Sequence, residues 1–342
     1  MRAPLQWTGP SLRRQGGKGD DDLVKSAVIS SFLSQTRDRF HEYNEVRDLE
    51  QRLRMVSEME AVDGVEAVYP YEVCDPLPVR GLMDRFGLKW AAVNVNVKAE
   101  ADFRSGGLTS SRREVREKAV RFIKEAKDFA RAVGANKVTC CPLGDGYEYH
   151  FHAEYAGAWK RLVDTIGEAG SYLPTIPLFI EYKPAETRGR CFVDTAAKAL
   201  LLLKDIGIDQ IGVTIDFGHS VWGQENPAEA LSLVAESRFP YYVHINDNDS
   251  RWDWDFFVGS RNLLSYVEFL WYLQEYRYDD YLTSDTSPTR LDVKGTFETN
   301  ARVTNRIWNR LLEVDRGKLR DLVRGEDYLK TWRFIEEEIL RL

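Results

Sequence analysis

Two rhythms of apolar and polar positions alternate along this chain from about residue 24 to residue 285: short β-like runs and longer stretches with helical spacing. The strand-like runs are VKSAVISSFL (24–33), GVEAVYP (64–70), KWAAVNVNV (89–97), KVTCCP (137–142), PLFIEYKP (177–184), IGVTIDFG (211–218), YYVHIND (241–247) and DYLTSD (280–285). Of the stretches between them, residues 111–133 are the clearest, with Val115, Val120, Ile123, Phe129 and Val133 roughly on one helical face. Parallel strands need crossovers, and right-handed crossovers on eight strands close on themselves. The pattern therefore predicts an α/β chain folded as a (β/α)8 TIM barrel. An open doubly wound sheet is the competing layout, but no glycine-rich phosphate fingerprint follows the first strand. After residue 286 the pattern is helical only. The expected organisation is an N-terminal segment (1–23), a catalytic barrel (24–288) and a C-terminal helical arm (289–342) that packs outside the barrel or embraces a neighbouring subunit.

Candidate chemistry sits on this frame as a ladder. Glu181 follows PLFI, Asp216 follows IGVTI, His244 follows YYV and Asp285 follows DYLTS. A charge at the end of a buried strand is costly unless it is paired or bound to metal, and barrel active sites lie at the C-terminal strand ends. Lys183 shares a face with Glu181, which suits either a plain ion pair or a metal ligand with a cation beside it to polarise a substrate oxygen. Asp216 and His219 lie in IDFGHS, which is read as a helix cap or as metal ligation. Asp247 and Asp249 read as turn formers, whereas the W-D-x-D spacing aims Asp253 and Asp255 the same way. Oxygen donors mixed with imidazole point to Mg, Mn or Co rather than to a thiolate site. Ligand counting suggests two ions, one on Glu181, Asp216, His244 and Asp285, the other on His219, Asp253 and Asp255 with Asp216 bridging. Two such cations suit adjacent oxygens of a polyol.

Composition narrows the partners. With 342 residues, 43% hydrophobic and 30% charged, the chain can bury a large core. A net charge of -7 argues against nucleic acid, no run approaches a membrane span, and the four cysteines form no framework. A small-molecule partner, no nucleic acid, no membrane and a cytoplasmic location are expected.

These motifs resemble xylose isomerase and its relatives among the two-metal sugar isomerases, over roughly residues 110–312. IEYKPAETRGR is similar to the family's E-x-K-P-x-E-x-R-G segment, RWDWDFFVG to its D-x-D-x-x-x-G loop and SDTSPTRLDVKG to its D-x-x-P-x-R-x-x-D-x-x-G segment. The resemblance implies a structural metal on Glu181, Asp216, His244 and Asp285, and a catalytic metal on His219, Asp253 and Asp255. It further implies that Asp255 with its bound hydroxide takes the proton from the second hydroxyl, that Lys183 donates to the carbonyl oxygen, and that a hydride shifts between the two carbons. Dimers or tetramers are implied too. Asp216 and His244 stand where xylose-active members carry glutamate and aspartate, which is more like the rhamnose isomerase branch. The ring-opening histidine after the second strand and the tryptophan after the fourth are missing.

Further candidates for substrate contact are Asn94 and Asn96 at the end of the third strand, His150 and His152 in the CPLGDGYEYHFH region, and Trp222. Tyr69, Tyr71 and Trp90 are candidate walls, Arg188 is a candidate to bind the metal-site carboxylates from behind, and His41 reads as surface. Alternatives are a keto-sugar 3-epimerase, a lyase acting on a sugar derivative, and a non-catalytic sugar-binding barrel or subunit. A DNA-repair endonuclease with three zinc ions is disfavoured by the five histidines and the acidic balance. An unphosphorylated sugar is preferred, because no basic cluster follows the seventh and eighth strands.

Overall fold

The computed structural model describes residues 24–342, so the expected N-terminal segment lies outside the described residues. Eight parallel strands close into a barrel: β1 Ser26–Ile29, β2 Gly64–Tyr69, β3 Lys89–Val95, β4 Val138–Cys140, β5 Leu178–Glu181, β6 Ile211–Asp216, β7 Tyr241–Ile245 and β8 Leu282–Ser284. Each pairs with its sequence neighbours, and β1 closes on β8, with Ser26 opposite Leu282. All eight fall within the runs read from the sequence. The predicted (β/α)8 barrel is the fold.

Helices follow every strand. They are α1 Leu49–Ser57, α2 Pro76–Phe86, α3 Arg113–Val133, α4 Tyr155–Ser171, α5 Ala196–Ile206, the short α6 Phe217–Trp222 with α7 Pro227–Ala235, α8 Leu263–Glu275 and α9 Val293–Glu313. Their starts are chemically marked: Asp48 caps α1 in a capping box with Gln51, and Asp75, Asn226 and Asp292 cap α2, α7 and α9. The core lies between the helices and the outward faces of the strands, where Val28, Val65, Val93, Ile180, Val213, Val243 and Leu282 meet α3, α5 and α8 residues such as Ile123, Leu203 and Phe269.

The division between barrel and arm at residue 288 needs correction. Helix α9 buries Phe297, Asn300, Ala301 and Thr304, and Asn305 accepts from the Val24 amide 2.9 Å away. It is the eighth helix of the ring, following β8 as the others follow their strands. What lies outside the ring is α10 Arg316–Arg324, α11 Tyr328–Phe334 and a final turn at Ile335–Leu340. This piece folds back on its own chain, where Arg316 and Arg320 both pair with Glu275 of α8, Arg320 at 2.5 Å.

Inside the barrel, side chains stack in layers set by the two-residue period of the strands. The N-terminal end is plugged by Ala27, Ala91, Ala92, Phe179, Tyr242 and Tyr281. There Lys137 donates to the Ala91 carbonyl, pairs with Asp280 at 2.8 Å and lies over the Tyr242 ring. Above this plug come Glu66, Thr139, Thr214 and Thr283, all wholly buried. The top layer holds the acids and histidines.

Candidate metal centre and active site

Four residues from four neighbouring strands converge at the C-terminal mouth. Glu181 ends β5, Asp216 ends β6, His244 lies on β7 and Asp285 follows β8, and each offers one ligand atom within 4.8 Å of the others. Register makes this possible, since Asp216 lies directly opposite His244 and each is two positions along from an inward threonine or tyrosine of the layer below. His244 Nδ1 stands 3.5 Å from both Glu181 Oε1 and Asp285 Oδ2.

The remaining predicted ligands lie beside this quartet. His219, in the first turn of α6, places Nδ1 3.1 Å from Glu181 Oε1 and Nε2 3.1 Å from Asp253 Oδ2. Asp216 caps that helix by accepting from the His219 amide at 2.7 Å, while its other oxygen accepts from Asn246. Helix cap and candidate ligand are thus one residue. Gly218 is required for close approach, because a Cβ there would overlap Asn246 Oδ1. In the loop after β7, Asp253 and Asp255 both face the cleft while Trp252 and Trp254 between and beside them are exposed. Asp255 holds φ at 50°, a left-handed conformation uncommon outside glycine. Asp247 organises the loop by accepting from the Asn248, Arg261 and Asn262 amides.

Electrostatics state what this arrangement lacks. At the ligand end of the cleft six carboxylates (Glu66, Glu181, Asp216, Asp253, Asp255, Asp285) stand with Lys183 and two imidazoles, while Lys98 and the Arg52–Glu72 pair line the far wall. Burial pushes Asp216 up to about 7, with Glu181, Asp285 and Asp253 adding to the rise and His219 opposing it. Burial, then the charges of Asp253 and Asp285, raise Asp255 well above the carboxylate range. Burial would lower both histidines, but the surrounding carboxylates outweigh it and raise them. His219 Nδ1 and His244 Nδ1 are buried without a hydrogen bond among the described residues. Orphaned imidazole nitrogens amid surplus carboxylate oxygens form a donor set that fits a divalent cation.

Behind His244 lies a residue the ladder of strand ends did not reveal. Glu66, in the middle of β2, is wholly buried and its Oε2 stands 3.1 Å from His244 Nε2. Asn94 and Thr139 bond its other oxygen at 2.9 and 3.1 Å, and Tyr242 shares Oε2. A carboxylate behind a ligating histidine fixes the ring and its tautomer. The signal was a lone acid at an inward position of an otherwise apolar strand.

Lys183 bonds Asp253 at 2.7 Å and Glu186 at 2.6 Å. Burial works against its charge, yet Asp253, Glu186 and Asp255 outweigh it and raise the ammonium well above its usual range. It is a fixed cation and donor. The cleft of about 410 Å³ is also lined by Asn94, Asn96, Tyr71, Lys98, Arg52 and Glu72. Asn94 spends its amide on Glu66, so its part is divided between support and the cleft wall.

Other expected contacts lie elsewhere. His150 and His152 are on an exposed loop, His152 pairing with Glu148 at 3.0 Å, and neither lines the cleft. Trp222 packs on Trp252 with centroids 5.6 Å apart, outside the cleft wall. Tyr69 and Trp90 pack on Phe129 of α3. Arg188 serves Glu148 and the Gly144 carbonyl rather than the metal carboxylates. Tyr69 and Trp90 are at outward strand positions, and the others lie in loops or at the end of α6, where strand periodicity carries no directional information.

Comparison with known proteins bears on the same frame. A model described as the xylose isomerase-like TIM barrel matches residues 53–306. The chain belongs to this family. A probable sugar isomerase of Mesorhizobium japonicum is 26% identical over 195 residues, covering 53% of this chain and 44% of that protein, so the chain matches less than half of that relative's length. Among solved structures, a D-tagatose 3-epimerase-like protein superposes with a TM-score of 0.67 at 21% identity over 84% of this chain and 100% of the other. An L-ribulose 3-epimerase gives 0.64 at 19% identity, over 89% and 99%. At this identity the likeness concerns the fold. The xylose isomerase-like family is thus shown, and the two neighbours named, an epimerase-like protein and an epimerase, do not single out the xylose or rhamnose isomerase branch within it. No helix among the described residues is long and apolar enough to cross a membrane.

Proposed function

We propose that the protein is a divalent-metal-dependent sugar isomerase that interconverts an aldose and a ketose by a 1,2-hydride shift. The observation that carries this reading is Lys183, a buried cation beside Asp253 and facing the same cleft as the Glu181, Asp216, His244 and Asp285 quartet. A 1,2-hydride shift gives this donor a direct role at the carbonyl oxygen that becomes an alkoxide.

In this reading the quartet holds one ion, and His219, Asp253 and Asp255, with Asp216 shared, hold a second. When bound, the ions lower the cost of negative charge on adjacent sugar oxygens. The chain's own groups do the rest. Lys183 donates to the carbonyl oxygen and stays protonated throughout, so it stabilises charge without acting as a base. Asp255, which faces the cleft beside Asp253, accepts the proton from the second hydroxyl as general base. The hydride then passes from the second carbon to the first, and a proton is returned to the first oxygen. Asn96 lines the cleft within reach of further hydroxyls.

A second reading, keto-sugar 3-epimerisation, is favoured by the fold neighbours. The deciding experiment removes metal with chelator, restores Mg, Mn or Co, and follows pentoses, hexoses and deoxyhexoses by NMR in deuterated water. Metal-dependent aldose–ketose interconversion with little deuterium in the product is the expected result. Deuterium at the third carbon of a ketose would replace this reading with the epimerase.

A further inference from the structure

Opposite the metal quartet, the cleft carries a positive charge that nothing in the isomerase chemistry uses. Lys98 lies just past β3, four strands around the ring from β7, and lines the cleft with Asn96, Ser31, Arg52 and Tyr71. It is half-buried and has no ion-pair or hydrogen-bond partner for its ammonium among the described residues. Its acidic neighbours are already engaged. Glu72 pairs with Arg52 at 2.7 Å and accepts from the Val68 amide and Ser30, and Glu100 takes Lys118 at 2.7 Å and the Tyr71 hydroxyl at 2.6 Å.

A lysine held at the cleft wall beside neutralised pairs leaves one net positive charge across the mouth from the metal ligands. We infer that Lys98 receives a carboxylate at the end of the substrate remote from its carbonyl, so that the substrate is a sugar acid rather than a neutral sugar. One ammonium matches one negative charge. A phosphate dianion would ask for a second free cation, and Arg52 is held by Glu72. The inference rests on the sugar-isomerase reading for its reaction, but the subsite has its own test.

That test has two parts, both on the full chain with Mn present. In the first, kcat/KM is compared for hexuronates, the neutral hexoses of the same configuration and the hexose 6-phosphates. The expected result is a preference of about 10-fold or more for the uronate over both. The ratio of uronate to neutral sugar should fall about 30-fold in K98M, in line with loss of a charged hydrogen bond, and recover in part in K98R. Preference for the neutral sugar, or for the phosphate, would overturn the assignment.

In the second part, calorimetry compares gluconate with sorbitol, neither of which has a carbonyl to isomerise. Tighter binding of gluconate that is lost in K98M supports the subsite even if no sugar is turned over, in which case the isomerase reading falls alone. A gluconate advantage that persists in K98M would mean the carboxylate binds the metal instead, and the subsite falls while the isomerase reading stands.

Discussion

Glu66 is the residue whose removal says most about the site. A carboxylate in mid-strand, wholly buried, is costly unless every lone pair is used, and here Asn94, Thr139, Tyr242 and His244 use them. The bond to His244 Nε2 holds a hydrogen on that nitrogen and turns Nδ1 toward Glu181 and Asp285, where a bound cation would take the place of its proton. Glu66→Gln keeps the volume but sets an amide opposite the ring, and a donor there favours the other tautomer, with the proton on Nδ1. Mn affinity measured by calorimetry should fall about 10- to 100-fold, with the circular dichroism spectrum unchanged. Wild-type affinity in E66Q would show that Glu66 only fills the barrel.

At the scale of elements, the eight strands were legible because inward and outward positions alternate and the acids close the inward series. Phe179, Glu181 and Lys183 continue one face of β5, and Tyr242, His244 and Asn246 one face of β7. The segments beyond the strand ends were not legible, since no strand period fixes where His150 in its loop or Trp222 at the end of α6 points. Helix α9 was misjudged because a helix after the last strand looks the same in sequence whether it closes the ring or leaves it. Its buried polar face, with Asn300 bonding the Val258 amide and Thr286, decides the matter only in three dimensions.

Helix α3 carries a separate test. Lys127 is fully buried and donates to the Ala169 and Gly170 carbonyls at the end of α4, at 3.2 and 3.0 Å. The helix end favours a cation, yet burial pulls the ammonium down to about 8 from 10.5. Between those values the unfolded chain binds the proton more fully than the folded one, so the lysine's contribution to stability rises with pH. Compared with K127M by denaturant unfolding from pH 7 to 10.5, the wild type should gain on the order of 1–3 kcal/mol. Parallel pH profiles would mean that Lys127 keeps its charge in the folded state.

On the whole-molecule scale, one end of the barrel is a packed plug and the other a concentration of negative charge. The Phe179, Tyr242 and Tyr281 layer supports the floor on which Glu66 and His244 stand, so the acidic mouth is held by the same side chains that fill the core. Six carboxylates gathered there oppose folding until a cation joins them, and ligands that bind only the folded state stabilise it by mass action. Mn or Co at about 100 times its dissociation constant should therefore add roughly 2.7 kcal/mol, a rise of several degrees in Tm after chelator-treated protein is reloaded. In Glu181→Gln the rise should largely vanish, because that carboxylate touches both histidines. Asp255→Asn, by contrast, should spare the tighter phase of a Mn titration and remove the weaker one, since Asp255 stands outside the quartet. A Tm indifferent to metal in the wild type would mean that His219, His244 and Lys183 balance the acids by themselves, leaving the cluster an ion-pair network at the top of a barrel.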